Sequence, residues 1–282
     1  MNEMVHTHIS AERPRFSLGL GELWQYRDLV RLLTKKALAV QYKQTVLGPL
    51  WVILTPLLSS LVYMMVFGDI AGLGTGGAPR LLFYLSGTAL WGFFAACISG
   101  NADIFSANAA LFGKVYFPRL AVPASNVLTA LVRFLIQLAL VVAVLLFSLR
   151  GGAVSPSWTA VAALPLVLLQ LALLGTGLGL LLSALTAKYR DLTALISVLV
   201  QLWMFATPVV YPLSSLAKDS PLRTAMLFNP VTAPTELYRS LLLGTGGVPG
   251  GWYAWSWLVT LAAALLGLRA FRRKERDFID TV

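Results

Sequence analysis

Residues 158–186 read WTAVAALPLVLLQLALLGTGLGLLLSALT, twenty-nine positions without an ionisable side chain. Wound as an α-helix, that run is about 40 Å long, more than the roughly 30 Å of hydrocarbon in a bilayer. Its apolar residues are contiguous rather than alternating, which suits a lipid-embedded helix and not the strand of a barrel. Five more windows of the same kind follow from this template: 46–67, 81–101, 122–149, 192–211 and 252–268. With 57% hydrophobic and 12% charged residues and a mean hydropathy of +0.75, the chain carries about half the charge of a soluble domain. The expected fold class is therefore an all-α membrane protein with six transmembrane helices in one membrane domain.

The Lys and Arg residues orient the helices. Seven precede the first window, Lys114 and Arg119 lie between the second and third, Lys188 and Arg190 between the fourth and fifth, and five follow the sixth. That side holds sixteen; the other holds five, Arg80, Arg150, Lys218, Arg223 and Arg239, leaving Arg133 inside a window. Both termini are expected in the cytoplasm, which an even number of crossings requires. The net charge of +10 is dispersed between apolar spans rather than gathered on one face, so nucleic acid is not an expected partner. The lone cysteine, Cys97, sits in an apolar window and gives no disulfide or metal framework. No signal peptide is expected at the start, and His6 and His8 read as parts of a polar tail.

Ahead of the first window, Leu23, Tyr26, Val30, Leu33, Ala37 and Val40 recur at steps of three and four, with Arg27, Asp28, Arg31, Lys35 and Lys36 on other faces. This pattern predicts an amphipathic helix over 21–43, lying in the headgroup plane or packed on a partner. The expected divisions are thus a cytoplasmic tail over 1–20, this helix, a transmembrane region over 44–268, and a tail over 269–282. Between the last two windows, 224–228 and 234–243 read as two short helices split by Asn229-Pro230 and closed by Gly244-Thr245-Gly246-Gly247. Apolar pieces of that length with such breakers are expected to be re-entrant on the outer face.

No G-x-x-x-x-G-K-[ST] string occurs, so nothing here cradles a nucleotide's phosphates. Nor do HExxH, GxSxG or a carboxylate cluster appear, and intramembrane acids of the kind that couple carriers to protons are scarce. No catalytic residue, metal ligand or cofactor is assigned to the chain. Two compact loops between apolar helices, 101–123 and 187–191, can either transmit a partner's motion or merely snorkel their cations at the interface.

Several strings occur together and in order. Residues 42–51, YKQTVLGPLW, resemble the segment before the first span of the type-2 ABC exporter permeases that move O-antigen, capsule and teichoic acid chains. KVYFPR at 114–119, YRD at 189–191, TPVVY at 207–211 and FNP at 228–230 are similar to that family's later signatures, and the likeness covers about 22–280. One departure is Leu120-Ala121, where relatives often carry an acidic residue. The resemblance implies a homodimer in the bacterial inner membrane, docked by two nucleotide-binding subunits that hold the ATP and Mg, and a substrate of undecaprenyl-diphosphate-linked polysaccharide. It implies that Asn108, Lys114, Tyr116, Phe117, Pro118 and Arg119, with Lys188, Tyr189, Arg190 and Asp191, form the coupling contact. It also implies that the broken segment with Asn229, Pro230, Glu236 and Arg239 forms an outer gate.

A glycan slides along aromatic rings, and Trp51, Tyr84, Trp91, Trp203 and Tyr211 are candidates for its path, or else part of the aromatic belt at the headgroups. Arg133 needs protein, water or phosphate around it, and is read either as a contact for the lipid diphosphate or as a structural partner of Asp103 or a helix carbonyl. Gly175, Gly177, Gly179 and Ser183 read as close helix packing. The alternatives to a polysaccharide exporter are a small-molecule exporter of the same fold and a membrane glycosyltransferase, for which Glu236 and Arg239 are the nearest match to catalytic groups. Reporter fusions at the two ends test the orientation: both are expected to report the cytoplasm, and one periplasmic terminus overturns the even count.

Overall fold

The computed structural model describes residues 20–43, 45–112, 117–150, 152, 154, 156–189, 191–217 and 219–279, with side chains throughout except at 20, 110 and 276–279. The tail at 1–19, the loop residues 113–116, Arg190 and the last three residues lie outside it. Every regular element among the described residues is helical.

Two helices, α1 (Leu20–Gln25) and α2 (Arg27–Tyr42), precede the bundle. On α2 the inward side holds Val30 and Thr34, and the Thr34 hydroxyl bonds the Val30 and Ser125 carbonyls. The apolar stripe read from sequence is only partly turned inward, since Tyr26 and Val40 are exposed. Helix α3 (Trp51–Tyr63) is entered through a 3₁₀ turn at Gly48–Leu50 and leaves through a π-helical stretch, Met64–Ile70.

Helix α4 (Arg80–Ala102) starts directly after Pro79, whose ring fixes the backbone for entry. Fifteen of its twenty-three residues are buried, which makes it the centre of the bundle rather than a lipid-facing span. Short α5 (Ile104–Ala107) and α6 (Ala109–Phe112) lead to α7 (Ala121–Arg150), in which Pro123 occupies the first turn, where no intrahelical N–H is needed. Next come α8 (Thr159–Thr186) and α9 (Leu192–Phe205). The hairpin α10 (Pro221–Phe228) and α11 (Thr232–Leu243) follows, α10 opening on a proline and α11 closing at Gly244 with φ +70°. Helix α12 (Gly250–Ile279) ends the described chain.

Five helical stretches, Gly48–Ile70, Arg80–Ala102, Ala121–Arg150, Thr159–Thr186 and Gly250–Glu275, are long and apolar enough to cross a membrane. Helix α9, with fourteen residues, is about 21 Å long and falls short. It ends at Phe205, ahead of the boundary at 211 read from sequence, because Pro208 lacks an N–H and disfavours helix in the residue before it. The helix of the sixth window, α12, departs the other way, continuing to Ile279, eleven residues beyond the expected 268, since apolar windows do not see its polar continuation.

The glycines of α8 set the packing. A Cβ on Gly175 or Gly179 would meet the α4 backbone at Phe94 and Ile98, and one on Gly177 would lie 2.6 Å from the Ala263 carbonyl carbon on α12. From the other side, a Cβ on Gly267 would fall on the Gly177 carbonyl. Both helices thus approach backbone to backbone, as small-residue ladders in membranes allow. Gly177→Ala should lower stability by about 2 kcal/mol, because a backbone neighbour cannot move aside as a side chain can. Thermal unfolding of the purified protein in detergent measures this, with Gly250→Ala, which has open space around its Cβ, as the unaffected control.

Candidate transport site

The sequence-derived residues fall at two ends of the bundle. At the end bearing α2, α5 and α6, called here the basic end, Val30, Ile104, Phe105, Phe112, Phe117, Ala121, Val122, Leu180 and Phe271 form one apolar cluster. Phe105 stacks on Phe271 with ring centroids 5.2 Å apart, which ties the loop to the last turns of α12. Asn108 turns the chain between α5 and α6 and donates to the Ile104 carbonyl at 2.9 Å. Phe117 and Pro118 are buried, while Arg119 donates to the Glu275 carbonyl at 2.8 Å and lies over the Phe112 ring. Lys114 and Tyr116 lie outside the described residues.

The second loop adjoins the first, since the Thr186 hydroxyl donates to the Ala102 carbonyl. Lys188, Tyr189 and Asp191 are exposed there, the Lys188 ammonium resting 5.1 Å from the Tyr189 ring centre, and Arg190 is outside the described residues. This end therefore presents exposed charged and aromatic groups on a rigid aromatic footing, a composition that suits contact with another protein.

Candidate path residues do not line one surface of the single chain. Tyr84 and Trp91 are buried, and Trp91, Phe94 and Trp203 meet edge to face at centroid distances of 5.3 to 6.2 Å. Trp51 is exposed at the start of α3, and Tyr211 donates to the Phe205 carbonyl at 2.7 Å. Arg133 is half-buried with an unpartnered Nε, and among the described residues no ion pair joins it to Asp103. Beside it an apolar groove of about 600 Å³ runs between α3 and α7, lined by Ile53, Val132, Leu135, Ile136, Ala139 and Leu140.

At the far end the residues read as a gate converge. The Asn229 amide donates to the Ala206 carbonyl at 3.0 Å and to the Thr207 hydroxyl at 2.8 Å, while its oxygen accepts from the Val231 N–H. The Pro230 carbonyl accepts from Ser256 of α12, which itself accepts from Gln170 of α8 at 2.7 Å. Arg239, 1% exposed, donates to the carbonyls of Pro208 and Val209, lies 3.9 Å over the Phe83 ring, and stands 3.6 Å from Glu236, also 1% exposed. Burial pushes the Glu236 carboxyl above its ordinary range, against the pull of Arg239 and of the Gly247 N–H that it accepts. Burial also pushes Arg239 down to about 10, which leaves it charged at neutral pH. Neither side chain is free to face a substrate.

Of the glycines around this pair, Gly246 reads in sequence only as part of a helix-closing string, and Gly87 is not singled out at all. A Cβ on Gly87 would overlap the Arg239 guanidinium, and one on Gly246, where φ is +92°, would lie 2.6 Å from the Glu236 carboxylate. The i, i+3 spacing of Glu236 and Arg239 on a helix was the legible signal for the pair itself.

The family described as ABC-2 type transporter matches residues 28–243, from α2 to the last residue of α11. The chain belongs to the ABC-2 type transporter family. Among relatives, an O-antigen export system permease protein RfbA of Myxococcus xanthus is 33% identical over 220 residues, 78% of this chain and 82% of the relative. A protein of the same description from Klebsiella pneumoniae is 26% identical over 266 residues, 94% of this chain and 98% of the relative. As an ABC-2 permease, the chain is a multi-pass membrane protein that works with an ATP-binding subunit. Removing one member of a buried pair strands the other, so Arg239→Leu should cost about 3–5 kcal/mol of stability. Glu236→Gln likewise leaves the Arg239 charge unpaired but keeps an acceptor for Gly247, so it should cost about 3 kcal/mol, the lower end of that range, and thermal melts of the detergent-purified permease rank the two.

Proposed function

We propose that this chain is the membrane-embedded permease of an exporter that moves O-antigen polysaccharide, linked to undecaprenyl diphosphate, across the bacterial inner membrane. The observation that carries the reading is the similarity, over 78% and 94% of this chain, to O-antigen export permeases from two organisms. ATP and Mg belong to the partner subunit, and this chain contributes the passage.

Two copies form that passage. Helix α9 is exposed along Leu195, Val198, Leu199, Leu202 and Phe205, and within its own chain it rests mainly on Ile196, Val200 and Met204. A helix too short to span and so thinly covered fits the wall of a channel shared by two subunits. The buried, non-helical turn at 207–210 extends α9 to the far side and completes a sixth crossing, because irregular backbone is tolerated at membrane depth when protein surrounds it. An even count returns both termini to the cytoplasm. Helix α2 then lies in the headgroup plane, α10 and α11 are re-entrant from outside, and the loops with Asn108, Phe117, Arg119, Lys188, Tyr189 and Asp191 receive the ATPase subunit.

The test is to purify the permease with the ATP-binding subunit of its own exporter, reconstitute both in vesicles, and follow appearance of lipid-linked glycan on the far leaflet. Export should require ATP and fall at least tenfold in Arg119→Glu or Asp191→Lys with the permease still folded. A stable complex that hydrolyses ATP yet exports a drug-like probe and no glycan overturns the substrate reading.

A further inference from the structure

Helix α9 is held very unevenly. At its far end Thr207, Pro208, Val209 and Val210 are all buried, and four separate bonds reach this turn: Arg239 to the Pro208 and Val209 carbonyls, Asn229 to the Ala206 carbonyl and the Thr207 hydroxyl. Arg239 is in turn fixed from three sides, by Phe83 and Gly87 of α4 and by Glu236 of α11, whose carboxylate takes the Gly247 N–H. At the basic end nothing comparable exists. Among the described residues no side-chain hydrogen bond ties 192–200 to another helix, Ser197 bonding only its own helix at the Thr193 carbonyl, and Ala194 and Leu195 are exposed. That end follows directly on the charged loop of Lys188, Tyr189 and Asp191.

We propose that Arg239 is a positioning residue for transport: it pins the outer end of α9 to α4 and α11, so that α9 turns about this point and its basic end carries the movement. The guanidinium suits the task because its planar fork serves two adjacent carbonyls at once, whereas an ammonium serves them as a point charge. A carbonyl pair left by an unwound helix end has no water to turn to, so the clamp holds the turn in one arrangement while the rest of α9, sliding on apolar contacts, meets no such restraint. With about 1.5 Å of rise per residue, Leu195 lies roughly 20 Å from the Pro208 carbonyl, so a small rotation at the clamp becomes a displacement of several ångströms at the basic end. The proposal rests on the reading that residues 187–191 meet the ATP-binding subunit.

The experiment uses the complete complex in vesicles with a Cys97→Ser background. Thr207→Cys and Asn229→Cys, whose side chains touch in the native turn, are joined by a short thiol-reactive bridge. Export should stay within about twofold of the same double-cysteine variant before bridging, because the bridge joins parts that never separate; any greater loss overturns the pivot. Nitroxide labels at Leu195 and at Phe205, both exposed, should then differ: ATP changes the mobility at 195 and leaves 205 unchanged, and equal or larger change at 205 also overturns it. Arg239→Lys keeps the charge beside Glu236 yet loses the fork, so glycan exported per ATP hydrolysed should fall about fivefold while hydrolysis itself is unchanged; full export per ATP in that variant counts against the role of Arg239. If the complex with the ATP-binding subunit never assembles, the failure belongs to the proposed function and not to the pivot.

Discussion

A backbone carbonyl or N–H removed from water must find a partner inside the protein, and inside a membrane that demand is unusually strict. The long helices meet it by themselves. The chain departs from them at one buried place above all, the turn after α9, and much of the far end is arranged around that departure. Arg239 is there to donate to two carbonyls, Glu236 is there to neutralise Arg239, Gly87 and Gly246 are there because a Cβ on either would run into those two side chains, and Gly247, with φ +118°, turns its N–H to Glu236. The buried charge, the glycine loop and the short helix are thus one structural fact seen from three positions. Replacing the whole set with apolar groups would remove the charges and leave the carbonyls without donors.

The basic end follows different physics. Phe105, Phe112, Phe117 and Phe271 form an apolar footing, and the charged groups above it sit at the surface, where solvent screens them. Exposed charges of this kind contribute little stability, and they can exchange partners at small cost. One end of the molecule is therefore specified by buried polar bonds and the other by aromatic packing beneath adaptable charge. That second end is a firm platform carrying movable contacts.

The fold was largely legible because hydrocarbon thickness and hydropathy fix where helices lie, and five of six windows correspond to helices long enough to span. What failed was local. The end of α9 was placed at 211 by counting apolar residues, since Val209, Val210 and Tyr211 are as apolar as a helix would need, while Pro208 stops it earlier. The stripe read before the first window places Tyr26 and Val40 with Val30, yet only Val30 of these is covered by the chain's own helices, because periodicity reports amphipathicity and not which residues a neighbouring helix covers. For the site, Glu236, Arg239, Asn229 and Pro230 were singled out from sequence and lie together in the structure, but their partners were not read. Pro208 and Val209 act through main-chain oxygens and Gly87 through the lack of a side chain, and neither leaves a mark in residue type.

Gly177 and Gly267 bring α8 and α12 into contact main chain on main chain. Such a seam has no rotamers to freeze or rearrange, so it loses little entropy on forming and offers no slack afterwards. Backbone-on-backbone contact of this kind makes α8 and α12 a stiff keel, and elements joined to it through deformable side chains have more room to shift. Size, too, is frozen along that seam: a methyl on Gly177 or Gly267 would meet main-chain atoms of the opposite helix, which no side-chain deletion there can remove.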